Sequence, residues 1–352
     1  MLIEGIIAAA TTPFYSDEKV YFRKLEANIA RYSRSLLGGM VILGSTGEAV
    51  TLDDAETSEV LRVAAEAAAP EKVLIAGVGR ESVKSTVETV ELAARFRYDA
   101  VLVRTPSYYA ASLPVSAVLN YFRSVADRSP LPVVLYNIPK CVPYQIPVEL
   151  VAELAQHPNI IGIKESSGSI ERIRALIAGT RTAPTRTETV TPMFEAVTTR
   201  MLEPQTTAHA GTFVAAGDLA GGIAIASAPP AATLKTRTKE VGFQVLCGSA
   251  SGVLEALEAG ASGGILAFSA FAPQACQEVY LAWKDHDLKL AEEKQKRIAA
   301  ANQRIVGQLG ISGIKYACDF NGYYGGKARS PLLPMTAAER TEIEGLLAEI
   351  RN

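Results

Sequence analysis

Short apolar runs recur along the chain, separated by longer stretches with helical periodicity. The runs begin near Gly5 (GIIAAA), Gly39 (GMVILG), Lys72 (KVLIAG), Asp99 (DAVLVR), Pro132 (PVVLYN), Asn159 (NIIGIK), Gly242 (GFQVLC) and Gly263 (GGILAF). Each has the length of a strand buried on both faces, as parallel sheets require. Between them Leu52–Ala68, Ser82–Phe96, Val115–Asp127, Pro147–Gln156 and Ile170–Ala178 carry helical patterns. Strand–helix alternation over eight runs predicts an α/β fold, a closed (β/α)8 TIM barrel. An open doubly wound sheet is the rival, weakened because no GxGxxG follows the first strand.

One interval breaks the rhythm. Strand starts lie roughly 20–35 residues apart, the size of a βα unit, except between the sixth and seventh, where Thr180–Val241 intervenes. This segment is rich in Thr, Ala, Pro and Gly, and its TFVAAGDLAGGIAIAS stretch predicts a hairpin around Gly217–Gly222. An insertion that follows a helix and precedes a strand is expected on the N-terminal face of the barrel, opposite the catalytic loops. It is therefore read as an inserted subdomain or oligomer contact, not a lid. After the last strand, Pro273–Lys284, Leu288–Gln308, Ile311–Phe320 and Ala337–Ile350 predict a helical appendage with a turn at Asn321–Gly326. The expected organisation is a barrel over residues 1–270, interrupted by an inserted subdomain at 180–241, then a helical C-terminal domain over 271–352.

Composition adds mainly exclusions. A hydrophobic share of 48% with 20% charged residues suits a chain that buries a large core. A net charge of −2 without basic runs gives no electrostatic reason to expect nucleic acid or an anionic membrane as partner. Cys141, Cys247, Cys276 and Cys318 are widely separated and form no CxxC pair, which suits a reducing cytosol. His157, His209 and His286 are not at metal-ligand spacing, so a His/Cys metal site is not expected. The opening MLIEGIIAAATTPF lacks a basic n-region and reads as a buried strand, not a signal peptide. No stretch approaches the roughly 18 apolar residues of a membrane span, and a cytoplasmic location is expected.

The candidate chemistry lies at strand ends. In NIIGIKESS, a period of two puts Ile161, Ile163 and Glu165 on one face and Gly162, Lys164 and Ser166 on the other. If the bulky face packs on the helices, Lys164 points into the barrel at its C-terminal end, where burial would favour the free, nucleophilic amine. The ordinary alternative is a lysine leaving the strand into solvent, paired with Glu165. In PVVLYNIP, Val134, Tyr136 and Ile138 share a face, so an inward Tyr136 hydroxyl would enter the same mouth and move protons. A strand tyrosine packed in the core is the plainer reading. The turn Gly44-Ser45-Thr46-Gly47-Glu48 offers two hydroxyls between glycines that let backbone N–H groups approach an anion; it also suits a helix N-cap. Tyr108 and Tyr109 beyond the fourth strand suit either a proton relay or an interface.

GSTGE at Gly44–Glu48, AGVGRES at Ala76–Ser82, TPSYY at Thr105–Tyr109, YNIP at Tyr136–Pro139 and GIKES at Gly162–Ser166, in this order and strand context, resemble the dihydrodipicolinate synthase / N-acetylneuraminate lyase family of class I aldolases. The resemblance covers nearly the whole chain outside Thr180–Val241. It implies a (β/α)8 barrel with a helical C-terminal domain, usually dimeric or tetrameric, and a carbon–carbon lyase without metal or pyridoxal phosphate. It also implies Lys164 as Schiff-base former and Tyr136 as proton shuttle. Ser45 and Thr46, with Gly47 of the same turn, are implied as the group around the 2-oxo acid carboxylate, Thr46 counting among the catalytic residues as well. Tyr108 is implied as a relay tyrosine that members of the family often lend to a neighbouring subunit. Dihydrodipicolinate synthases typically carry an arginine two residues after YNxP to hold a second carboxylate; here Lys140 and Cys141 follow, with Cys141 at that position. A thiol cannot make the bidentate contact, and Lys140 could act only as a point charge. Ser129–Pro139, Leu154–Gly168, Phe243–Gly252 and Phe320–Leu332 look closer to 4-hydroxy-2-oxoglutarate aldolases. The expectation is cleavage of 4-hydroxy-2-oxoglutarate to pyruvate and glyoxylate. Dihydrodipicolinate synthesis is the alternative enzyme, and a non-catalytic 2-oxo-acid-binding regulator the alternative of another class.

Overall fold

The computed structural model of the chain describes residues 1–202 and 234–350. Six strands come first: β1 (Gly5–Ala9), β2 (Gly39–Ile42), β3 (Val73–Gly77), β4 (Ala100–Arg104), β5 (Val133–Asn137) and β6 (Ile160–Glu165). A hairpin follows, β7 (Arg186–Val190) with β8 (Arg237–Val241), then β9 (Gln244–Cys247) and β10 (Gly263–Leu266). All strands but the hairpin close into one parallel barrel in the order β1-β10-β9-β6-β5-β4-β3-β2. The expected (β/α)8 barrel is what the chain forms.

The helices sit where the periodicity puts them. Helix α1 (Phe22–Ser33) buries Leu25, Asn28, Ile29 and Tyr32, one stripe of a 3.6-residue repeat. Helix α2 (Asp54–Ala67) starts on a capping box in which the Asp53 side chain accepts from Glu56 N and Glu56 answers on Asp53 N. Ser82 and Ser169 cap α3 (Val83–Arg95) and α6 (Ile170–Gly179) in the same way on one side only. Between these lie α4 (Val115–Arg128) and α5 (Val148–Leu154). Two core layers result. Ile7, Val41, Ile75, Leu102, Val134 and Leu246 fill the barrel, while Ile42, Leu74, Val101, Leu135 and Ile163 pack beneath the helices.

Strict alternation fails at one place on β6. Val133 pairs with Ile160 but Val134 pairs with Gly162, so Ile161 is the extra residue of a β-bulge. Ile161 therefore joins the barrel interior instead of sharing the outer face with Ile163. Beyond the bulge the alternation resumes, with Ile163 outward and Lys164 opposite Tyr136. Gly162 is needed because a Cβ there would lie 2.4 Å from the Gln244 carbonyl oxygen of β9.

The interval between α6 and β9 contains the β7/β8 hairpin, an antiparallel pair of polar strands at its two ends. The hairpin expected around Gly217–Gly222 lies outside the described residues. The short helix α7 (Thr199–Leu202) follows β7. These parts lie against the N-terminal ends of the barrel strands: Arg186 Nη2 donates to the carbonyls of Ile161 and Gly242, Thr199 N donates to Asp99, and Arg200 donates to the Lys72 carbonyl. The described part of the insertion is thus at the base of the barrel.

Helix α8 (Val253–Glu258) precedes β10, and α9 (Pro273–Lys284), α10 (Leu288–Asn302), a π-helical segment Gln303–Leu309, α11 (Gly310–Phe320) and α12 (Ala337–Leu347) complete the chain. The single helix expected over Leu288–Gln308 changes to π geometry at Gln303, and Gly310, at φ +66°, makes the join to α11. Among the described residues no helix is long and apolar enough to cross a membrane, and no cluster of three or more His, Cys, Asp or Glu side chains has the geometry of a metal site.

Candidate active site

β4, β5 and β6 present Arg104, Tyr136 and Lys164 at one level, since Arg104 pairs with Tyr136 and Tyr136 with Lys164 in register. Lys164 is 4% exposed and Tyr136 6%. The Lys164 ammonium lies over the Tyr136 ring, 4.3 Å from its centroid, where the face of the ring attracts a cation. Glu165, facing outward, does not pair with Lys164. Its carboxylate accepts from Asn137 Nδ2, Ser167 N and Arg172 Nε, so β6 is pinned to β5 and to α6 directly behind the lysine.

The GSTGE turn brings a second group to the same mouth. Ser45 Oγ is 3.5 Å from the Tyr136 hydroxyl, a separation at the limit of a hydrogen bond. Thr46, the next residue of the turn, is buried. Gly47 shapes the turn more than it offers a donor: its N–H goes to the Gly44 carbonyl and its carbonyl accepts from Thr12 Oγ1. Glu48 stands at φ 55° and is almost wholly buried. Its carboxylate meets Lys315 of α11 at 2.5 Å and accepts from Arg329 N. Lys315 Nζ also donates to the Lys327 carbonyl and sits 4.2 Å from the Phe14 ring centroid. The C-terminal helices therefore hold the loop that carries Ser45 and Thr46. Burial pushes the Lys315 ammonium below its ordinary value, against the pull of Glu48 in the other direction.

Ser45, Tyr136, Arg104, Arg80 and Cys141 line one cleft of about 420 Å³. Cys141 is exposed, although desolvation of its thiol raises the pKa against the opposing fields of Lys140, Lys164 and Arg104. Of the expected residues, Ser45, Tyr136 and Cys141 line this cleft; Lys164, Thr46 and Gly47 lie behind its lining, and Lys140 and Tyr108 are turned elsewhere. Lys140 turns its ammonium to the Gly307 carbonyl of the π-helical segment, an acceptor that a substrate carboxylate would have to displace. Tyr108 is 82% exposed, forms an edge-on pair with Tyr109 and donates its backbone N–H to Glu81. No hydrogen bond, ion pair or ring contact among the described residues joins Tyr108 to Lys164, whose Nζ lies over the Tyr136 ring.

Sequence reasoning misses Arg104, though a signal for it is present. It ends the run DAVLVR, and the alternation that turns Lys164 inward puts Ala100, Leu102 and Arg104 on one face as well. Its link to the rest of the site carries no such signal, because its partners Glu81 and Ser107 come from loops.

A closed parallel barrel with a buried lysine at its C-terminal mouth, hydroxyls beside it and helices added behind it defines a class of barrel protein. A model of the dihydrodipicolinate synthetase family matches residues 2–184 and 222–350, and the chain belongs to that family. The unmatched stretch falls within the insertion. A 4-hydroxy-tetrahydrodipicolinate synthase of Stenotrophomonas maltophilia (strain R551-3) is 37% identical over 186 residues, 51% of this chain and 59% of that relative. The chain therefore spans less than two thirds of that relative in the aligned region. One of Acidiphilium cryptum (strain JF-5) is 26% identical over 98% of both chains. Two solved structures share the fold over 99–100% of both chains: a dihydrodipicolinate synthase from Bacillus anthracis (22% identity, TM-score 0.79), and YagE, a prophage protein of the dihydrodipicolinic acid synthase family from E. coli K12 in complex with pyruvate (23% identity, TM-score 0.78).

Proposed function

We propose that this chain is a Schiff-base aldolase of pyruvate-like 2-oxo acids, cleaving 4-hydroxy-2-oxoglutarate to pyruvate and glyoxylate. The observation that carries the reading is the buried Lys164 ammonium over the Tyr136 ring, with the Tyr136 hydroxyl beside Ser45. The free amine of Lys164 adds to the C2 ketone, and loss of water gives an iminium. Tyr136 accepts the C4 hydroxyl proton as C4 becomes the aldehyde of glyoxylate. The C3–C4 electron pair passes to the iminium, leaving an enamine that takes a proton at C3. Water then frees pyruvate and restores the amine. Ser45 and Thr46 hold the C1 carboxylate. The iminium is the electron sink, so the scheme requires neither metal nor pyridoxal phosphate. In this reading the enzyme is cytoplasmic and works as a homo-oligomer in which a second copy covers Tyr108 and Tyr109.

The names of the relatives favour a second reading, condensation of pyruvate with aspartate semialdehyde. Against it stands the thiol of Cys141 at the position where the resemblance has an arginine, with Lys140 occupied elsewhere. A non-catalytic 2-oxo-acid-binding role would use the same buried lysine and hydroxyls without forming an imine, and borohydride trapping with pyruvate separates it from the proposal. Product assays separate the readings. Glyoxylate released from 4-hydroxy-2-oxoglutarate supports the proposal, whereas consumption of aspartate semialdehyde with pyruvate and no glyoxylate release overturns it.

A further inference from the structure

A pyruvate site leaves open what receives the rest of the substrate, and Cys141 cannot be that group for an anion. The cleft supplies another cation. Arg104 stands on the inner face of β4, level with Tyr136 and one strand further from Lys164. Its side chain lies across Gly79, where a Cβ would come within 2.7 Å of Arg104 Cγ, so the glycine clears the path of the arginine along the cleft wall. The guanidinium is only partly used. Nη2 donates to Glu81 at 2.9 Å, and Nη1 to the Thr105 carbonyl at 3.0 Å and, weakly, to Ser107 Oγ at 3.4 Å. A guanidinium has five N–H donors, so donors remain for a ligand.

The Glu81 carboxylate is divided among Arg104, Ser107 and the Tyr108 N–H. Arg80 lines the same cleft, and its guanidinium donates to the neutral Thr57 hydroxyl at 3.4 Å, with the Asp54 carboxylate acting on it through its field and not through a hydrogen bond. Glu48, the other carboxylate of the cleft, is committed to Lys315. Two guanidiniums thus line the cleft, that of Arg104 paired with Glu81 and that of Arg80 in the field of Asp54 without an ion pair among the described residues.

We infer that Arg104, backed by the charge of Arg80, receives the distal carboxylate of the substrate, so that the site selects a dicarboxylic 2-oxo acid over one with a neutral tail. Arg104 takes over from a different strand the task that the residue at Cys141 cannot perform. The inference rests on the imine reading of Lys164.

The test compares 4-hydroxy-2-oxoglutarate with 4-hydroxy-2-oxopentanoate, which has a methyl group in place of the distal carboxylate. Wild-type enzyme is expected to favour the dicarboxylate in kcat/KM by at least ~10-fold, the lower end for a hydrogen bond to a charged group. Arg104→Gln is expected to remove most of that ratio, mainly through KM, and Arg104→Lys to restore part of it. Glu81→Gln loosens the 105–109 loop but keeps the guanidinium, so the ratio is expected to persist. Equal kcat/KM for the two substrates in wild type, a readout that needs no variant to fold, overturns the inference. So does an equal loss on both substrates in Arg104→Gln, or collapse of the ratio in Glu81→Gln, either of which makes Arg104 a loop clamp. Borohydride trapping with pyruvate, which has no distal group, keeps the two readings apart. Failure to trap defeats the lysine mechanism, whereas trapping without discrimination defeats only the role of Arg104.

Discussion

Around Lys164 and Ser45 the barrel mouth is held from behind by buried contacts; around Tyr108 and Cys141 it is held by exposed ones. On the first side Glu165 fixes β6 to Asn137 and Arg172, and Glu48 fixes the GSTGE turn to Lys315, with Glu48 and Lys315 side chains each 1% exposed. On the second, Glu81 gathers Arg104, Ser107 and Tyr108 with its side chain 44% exposed. Buried ion pairs lose much when one partner goes, while exposed pairs contribute little and allow change. The difference divides the mouth into a fixed part and an adaptable part, which the proposed reaction assigns to the 2-oxo acid head and to the remainder of the substrate.

That division is open to attack at several points. Tyr136→Phe removes the hydroxyl from the fixed part and is expected to lower kcat by roughly 10²–10⁴-fold, the range for a proton-transfer group, in steady-state assays of glyoxylate release. Lys315→Met leaves Glu48 buried without its cation and is expected to cost about 3–5 kcal/mol in denaturant unfolding. Adding Glu48→Gln in the same chain should recover part of that loss, because the stranded charge is removed. A Lys315→Met chain as stable as wild type would mean that the C-terminal helices do not hold the turn. Lys140→Ala, on the adaptable side, is expected to change KM by less than about 3-fold, as for a surface residue turned away from the substrate. A larger rise in KM would return Lys140 to the cleft.

Much of the fixed part is legible in the sequence, for a physical reason. Lys164 and Tyr136 lie on strands, where a period of two decides direction from the chain alone, and the eight apolar runs announce the barrel. The same rule misplaces Ile161, because a bulge adds a residue without any mark in composition. It is also sufficient to find Arg104, which the conspicuous TPSYY motif beside it obscures. The Glu48–Lys315 pair joins residues far apart in the chain, and neither carries a local signal of the other. Strands β7 and β8, RTETV and RTKEV, are polar and pair mainly with each other, so hydrophobic patterning misses them. Lys140 has the charge of a stand-in for the missing arginine, but its direction depends on the π-helical carbonyl of Gly307, which spacing does not reveal.

Everything proposed for the cleft depends on the Lys164 amine forming an imine with a 2-oxo acid. Intact-protein mass spectrometry after incubation with pyruvate and borohydride tests it most directly. One reduced pyruvate adduct per chain is expected, mapped to the peptide containing Lys164 and absent in Lys164→Ala. No adduct on the wild-type chain, or an undiminished adduct in Lys164→Ala, would contradict it.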